Sequence, residues 1–127
     1  APAAKAKNLE EYLFQVAGEH LAQMEEPEKL EEMKLVMSEI IKNEEVRKFH
    51  MEFLRDKVVL GAKEVAAFVH GKKTEKELRL LFYQFVSSLV YYTWSIKMVG
   101  DPSEFIGDED AFLHQLVKTY TLAFQTS

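Results

Sequence analysis

The sequence contains no cysteine, and only three prolines and five glycines among its 127 residues. Without cysteine there are no disulfides, no thiolate metal ligands and no thiol catalysis. The few prolines and glycines lie at apparent segment boundaries, and strand-like alternation is not sustained anywhere, which is typical of an all-helical chain. A dense basic patch is also missing. Because the net charge is -5 and the longest basic run is Lys72-Lys73, the chain by itself is a poor DNA binder.

Motifs for catalysis and for metal binding are lacking as well. There is no glycine-rich phosphate loop and no repeated Glu-x-x-His pair of the di-iron bundles. Ser87-Ser88 has no histidine at a fixed local spacing. No metal-binding spacing relates the four histidines, which are His20, His50, His70 and His114. We therefore expect no enzyme, no cofactor and no metal site.

The size and composition predict one globular domain. Hydrophobic residues make up 47% of the chain and charged residues 29%, which argues against disorder. The first residues, "APAAKAKN", lack the apolar region of a signal peptide, so we expect a cytoplasmic protein. Residues 1–8 are predicted to be a disordered tail and residues 9–127 a single helical domain. The start at Ala1 instead of Met indicates a piece of a longer protein, which we favour, or a mature exported protein after cleavage.

Apolar residues recur at steps of three and four and predict a bundle of five to six helices. The first helix is predicted over residues 9–24, a second from Pro27, a third over 46–70, a fourth between Thr74 and Gly100, and a last one from Asp108. Thr74 and Glu77 have the spacing of a capping box. Gly61 favours a break of the third segment into two helices.

The fourth helix contains no charged side chain from Leu80 to Ile96. The stretch is too short for a membrane span, and its aromatic residues are not gathered at its two ends. At 100° per residue it has two apolar faces instead. The first comprises Leu78, Phe82, Phe85, Leu89, Tyr92 and Ile96, and the second Leu80, Tyr83, Val90, Tyr91, Trp94 and Met98.

A domain of this size can cover one of these faces with its own helices. We therefore expect the second face to lie against a ligand cavity or another subunit. The last helix also has a wide apolar arc, which favours pairing of both helices with their copies in a four-helix dimer interface. The predicted interface residues are Tyr83, Ser87, Val90, Tyr91, Trp94, Phe112, Leu116, Tyr120 and Ala123.

The inner faces of successive helices supply candidates for a ligand pocket. The apolar candidates are Met33, Met37, Phe49, Phe53, Phe82, Phe85, Leu89 and Tyr92. Methionine adapts to varied apolar shapes, and His50 and Tyr92 offer the few polar groups that orient a ligand in such pockets. The alternative is that these residues only fill the core.

The order, length and apolar pattern of the helices resemble the C-terminal domain of TetR-family transcriptional regulators. "LVMSEIIKNEEVRKFHMEF" (35–53) is similar to the family's helix, acidic residue and turn followed by a long helix. "LRLLFYQFVSSLVYYTW" (78–94) resembles the penultimate helix and "FLHQLVKTYTLAF" (112–124) the closing helix, where Ala123 stands near a common glycine position. The family's N-terminal helix-turn-helix has no counterpart in these 127 residues.

The resemblance implies a homodimeric sensor domain. In such regulators the last two helices dimerise, and a small apolar effector shifts the linker helix, here residues 9–24, so that DNA binding changes. DNA is then a partner only through the helix-turn-helix module, and no membrane is involved. The first alternative is a helical protein–protein interaction module or a standalone bundle without an effector. The second is a small metal- or cofactor-binding bundle.

Overall fold

Six α-helices make up the part of the chain, residues 6–126, that the structure describes; it is a computed structural model. They run in the order α1 Leu9–Glu25, α2 Pro27–Glu39, α3 Glu44–Ala66, α4 Glu75–Trp94, α5 Ser103–Ile106 and α6 Glu109–Gln125. No strand occurs among these residues. The predicted all-α class with five to six helices is therefore confirmed.

Capping side chains fix where the long helices begin. Asn8 and Asp108 each accept a hydrogen bond, at 2.9 Å, from the backbone N–H three residues on. Asn43 does the same for α3. Thr74 and Glu77 form the predicted capping box, with the Glu77 N–H donating to Thr74 Oγ1 at 3.2 Å. Residues 1–5 of the predicted tail lie outside the described residues, whereas Asn8 already caps α1.

The predicted break at Gly61 is wrong, because α3 is one continuous helix that ends at Ala66. Gly61 lies where α3 packs on Phe82 of α4, and a Cβ added at Gly61 would come within 2.2 Å of the Phe82 ring. The missing side chain therefore allows two helices to approach closely and does not mark a bend.

One apolar core joins α1, the end of α3, α4 and α6. Its buried members are Leu9, Tyr12, Leu13, Ala17, Ala62, Val65, Leu78, Phe82, Phe85, Val86, Leu89, Leu116, Val117 and Phe124. Helix α2 contributes no buried residue, and α3 contributes buried residues only from Gly61 onward. The first half of α3 and all of α2 are thus the less buried part of the described chain.

The end of α4 differs from the predicted simple stop at Gly100. After Trp94 the helix continues as a π-helical turn, Ser95–Val99, closed by a 2.7 Å hydrogen bond from the Gly100 N–H to the Ser95 carbonyl. The predicted loop that follows contains the short helix α5. That helix ends at Gly107, whose φ of +90° is a conformation that favours glycine.

Burial accounts for the inner side of the uncharged stretch of α4. Leu78, Phe82, Phe85, Leu89 and Tyr92 of the predicted inner face are all buried. Among the described residues, no helix has the length and apolar character needed to cross a bilayer. The second apolar face of α4 is left facing outward in the single chain.

Candidate functional site

Polar side chains meet between α1 and α3, at one edge of the core. The Tyr12 ring lies on Phe68, with centroids 5.7 Å apart, and its hydroxyl interacts with Glu64. Burial, together with the charge and the hydrogen bond of Glu64, raises the pKa of Tyr12 above its usual value. Tyr12 therefore stays protonated, so its hydroxyl donates to the Glu64 carboxylate and ties α1 to α3.

Two turns further along α1, His20 reaches α4. Its Nε2 lies 3.0 Å from Thr93 Oγ1, and the Thr93 hydroxyl itself donates to the Leu89 carbonyl at 2.9 Å. Because the Thr93 proton is used in that bond, Thr93 accepts from His20, which fixes the proton of the neutral imidazole on Nε2. Burial, and then the nearby charge of Lys57, lowers the pKa of His20 to about 4.

Lys57 of α3 is half-buried, and its charge contributes to the lowered pKa of His20. Burial lowers its pKa, and Glu19 partly offsets this. Within residues 6–126, no carboxylate oxygen forms an ion pair with its Nζ at 4.0 Å or less, in contrast to Lys97, which lies 3.0 Å from Glu25. Lys57 is thus a partly desolvated ammonium group without a close counter-ion in the described chain.

Acidification should destabilise the fold through His20. Its pKa is about 4 in the folded chain and 6.5 without burial, so the unfolded chain takes up the proton first as the pH falls. Stability is fully present above pH 6.5 and should fall by about 3 kcal/mol on approaching pH 4. Urea unfolding at pH 7.5, 5.5 and 4.5 checks this. His20→Gln keeps a donor for Thr93 but does not titrate, and an equal loss in both proteins would contradict the assignment.

The predicted pocket residues separate into two groups. Phe82, Phe85, Leu89 and Tyr92 are buried and belong to α4, where Phe82 and Phe85 are neighbours with ring centroids 6.2 Å apart. Met33 and His50 are half-buried, and Met37, Phe49 and Phe53 are exposed, Phe49 by 72%. The structure does not bring the two groups together around one closed cavity, and their role in ligand binding stays a prediction.

A small cleft lies between the ends of α1 and α4 and the start of α6. Tyr92 and Thr93 line it together with Leu21, Met24, Glu25, Ile96, Lys97 and Glu109. Its cavity volume of about 20 Å³ holds roughly one water molecule. Of the predicted pocket residues, only Tyr92 lines this cleft. Because it has room for about one water molecule, the cleft is too small to be the predicted effector pocket.

The outward face of α4 carries the predicted interface residues of that helix. Tyr83 is 45% exposed, Val90 40% and Tyr91 66%. Trp94 is half-buried, and its ring lies tilted against that of Tyr91 with centroids 5.6 Å apart. Ser87 lies at the middle of this face, where its small side chain permits a second helix to approach closely. These five residues form a continuous strip, which we call the α4 outer face.

The predicted interface residues of α6 are less available for contact with a partner subunit than those of α4. Phe112 stacks on Tyr92 at 3.9 Å with the rings nearly parallel, and Tyr120 contacts Phe85 edge-on at 5.6 Å. Leu116 is buried and Ala123 half-buried. The apolar arc of α6 is therefore largely used within its own chain, and α4 offers most of the exposed surface to a partner. The dimer interface itself stays a prediction.

Sequence reasoning missed the polar residues between α1 and α3. One signal was present: His50, Lys57 and Glu64 follow each other at intervals of seven residues, which places them in one stripe along α3. The partners Tyr12 and Thr93 had no such signal, because their helices are distant in sequence. In residues 6–126 no group of three acidic residues and histidines is arranged to hold a metal ion.

Comparison with known proteins identifies no relative of this chain. No protein-family model, no curated protein and no solved structure matches the chain.

Proposed function

We propose that this chain is the effector-sensing and dimerisation domain of a TetR-like transcriptional regulator. It would bind a small, largely apolar molecule and thereby control a helix-turn-helix module outside these residues. The observation that carries the proposal is the α4 outer face, an exposed apolar strip on the helix that also forms the centre of the core. A helix apolar on both sides needs a second covering, and a copy of the same helix supplies it.

The connections of α1 support the sensing half of the proposal. Besides its apolar core contacts, α1 is joined to α4 by the pair His20–Thr93 and to α3 by the pair Tyr12–Glu64. A ligand that moves α1 relative to both helices also changes these pairs. Since α1 would correspond to the linker helix, ligand binding and the position of α1 are coupled through them.

A test of both halves uses sedimentation and thermal melting of the same preparation. We expect a dimer at micromolar concentration, and a higher melting temperature with some members of a panel of small apolar compounds, because a ligand that binds only the folded state stabilises it. A monomer would contradict the interface. Flat melts across the whole panel would contradict effector sensing.

A second candidate function is a helical protein–protein interaction module. It is favoured by exposed apolar side chains in the region of α2 and α3: Phe49 of α3 is 72% exposed, and Ile41, in the turn between α2 and α3, is 84% exposed. Exposed apolar patches of this kind mark interaction sites. Flat melts with a retained dimer would favour this function over effector sensing.

A further inference from the structure

The net charge of the chain is concentrated in one short segment that follows α4. Of the 21 acidic residues, five lie within residues 101–110, where there is no lysine or arginine, and the other 16 are balanced by the 16 basic residues. The five are Asp101, Glu104, Asp108, Glu109 and Asp110. The entire net charge of -5 therefore belongs to residues 101–110, which we call the acidic segment.

The acidic segment combines its charge with exposed apolar surface. Phe105 of α5 is 81% exposed and Ile106 45%, and Val99, just before the segment, is 68% exposed. Among residues 6–126, no lysine, arginine or histidine forms an ion pair with the five carboxylates at 4.0 Å or less. Both the charge and the apolar side chains of this segment are thus available to a partner.

The opposite end of α4 presents positive charge. Lys72 and Lys76 are exposed, and neither forms an ion pair within 4.0 Å in the described part of the chain. The carboxylates nearby are used locally, because Glu75 pairs with Arg79 and Glu77 belongs to the capping box. Helix α4 is therefore flanked by charges of opposite sign, positive at its start and negative beyond its end.

The outward apolar residues of α4 are spaced symmetrically about Ser87. Leu80 and Trp94 lie seven residues from Ser87 on either side, and Tyr83 and Tyr91 lie four residues from it. Steps of four and seven keep these residues within about 40° of Ser87 around the helix. A two-fold axis at Ser87 would therefore set Leu80 opposite Trp94, and Tyr83 opposite Tyr91, of an antiparallel second copy.

Charge distinguishes the antiparallel from the parallel pairing of two α4 helices. Parallel helices would bring the two acidic segments together and place Lys76 beside its own copy. In an antiparallel pair, Lys76 reaches the level of Val99 of the other copy, because both lie about 17 Å from Ser87 along the axis. Asp101 follows Val99 by at most about 7 Å of chain, so opposite charges lie within reach of each other.

We infer that two copies of α4 pack antiparallel about Ser87, so that the acidic segment of each protomer docks on Lys72 and Lys76 of the other. The inference rests on the proposed dimerisation and names the arrangement of the two protomers and a second contact surface for it. Opposite charges at the rim of an interface fix its orientation and register. Because salt screens exposed charges, this contact also makes dimerisation depend on ionic strength.

The experiment reverses the charges at each end of α4 and measures the dimer dissociation constant by sedimentation. Asp101→Lys with Glu104→Lys should weaken the dimer about tenfold or more, because two attractive contacts become repulsive. Lys72→Glu with Lys76→Glu is an independent variant with the same expected result. All four changes in one chain restore opposite charges across the interface, so the dissociation constant should return to within about threefold of the wild-type value.

A matched control for the acidic pair is Glu52→Lys with Asp56→Lys, which makes the same change in net charge at exposed positions of α3. It should leave the dissociation constant unchanged, and circular dichroism verifies that each variant keeps its helices. The wild-type dimer should also be weaker in about 0.5 M than in about 0.05 M sodium chloride.

The contrary outcomes are distinct. A wild-type dimer whose dissociation constant is unchanged by both reversed pairs would overturn the antiparallel arrangement and leave dimerisation in place. Failure of the fourfold variant to regain wild-type association would show that the two ends do not meet. A wild-type chain that stays monomeric would overturn the proposed dimerisation together with this inference.

Discussion

Tyr83→Glu combined with Val90→Glu should convert the proposed dimer into monomers. Both side chains are exposed in the single chain, so the folded protomer tolerates the charges. In an isologous interface each residue near the two-fold axis lies close to its own copy, so four carboxylates would meet in a desolvated surface. Burying them without counter-ions costs about 4 kcal/mol or more, which weakens association roughly a thousandfold.

Sedimentation equilibrium measures this change, and circular dichroism verifies that the helices remain. The matched control is Leu122→Glu, which places a charge at a 57% exposed apolar position of α6 outside the predicted interface. The control should stay dimeric. A double variant that keeps the wild-type mass would show that copies of the chain do not meet at the α4 outer face.

Gly61→Val should lower the free energy of unfolding by about 3 kcal/mol. Valine is a better helix former than glycine, so the local helix propensity alone predicts a small gain. At Gly61, however, the added Cβ would lie between 2.2 and 2.6 Å from three atoms of the Phe82 ring. Phe82 is buried and adjoins Phe85, so the ring has little space into which it can move.

Gly18→Val is the control for helix propensity, since a Cβ at Gly18 meets nothing within 4 Å and the residue is exposed on α1. It should be neutral or slightly stabilising in urea unfolding. Phe82→Leu should partly rescue Gly61→Val, because the smaller side chain leaves room for the valine methyl groups. Strict additivity of the two changes would show that Gly61 is not constrained by Phe82.

The helices were predictable where the signal is local. The capping box of Thr74 and Glu77 acts within three residues, so sequence spacing alone identifies it, whereas Asn8, expected in a disordered tail, caps α1. The inner face of α4 was predictable because burial follows helical periodicity. The role of Gly61 was not predictable from the sequence. A glycine that bends a helix and a glycine that leaves room for a neighbouring ring can be told apart only when the neighbouring helix is known.

The candidate site was predictable only in part, for the same reason. The bond between His20 and Thr93 joins residues 73 positions apart, and no periodicity reports it. The inner pocket candidates on α4 were identified as apolar and inward-facing, which the structure shows. Phe49 and Phe53 have equally apolar spacing but lie on an exposed side of α3.

The π-helical turn at Ser95–Val99, which continues α4, contains one residue more than a regular α-helical turn would. Everything after Trp94 is out of phase with the preceding helix by about one residue, or roughly 100°. Met98, grouped by simple periodicity with the outward residues, lies within this turn and is half-buried. The contact of this helix with α1 continues across the change of phase, from Thr93 before the turn, which contacts His20, to Lys97 within it, which contacts Glu25.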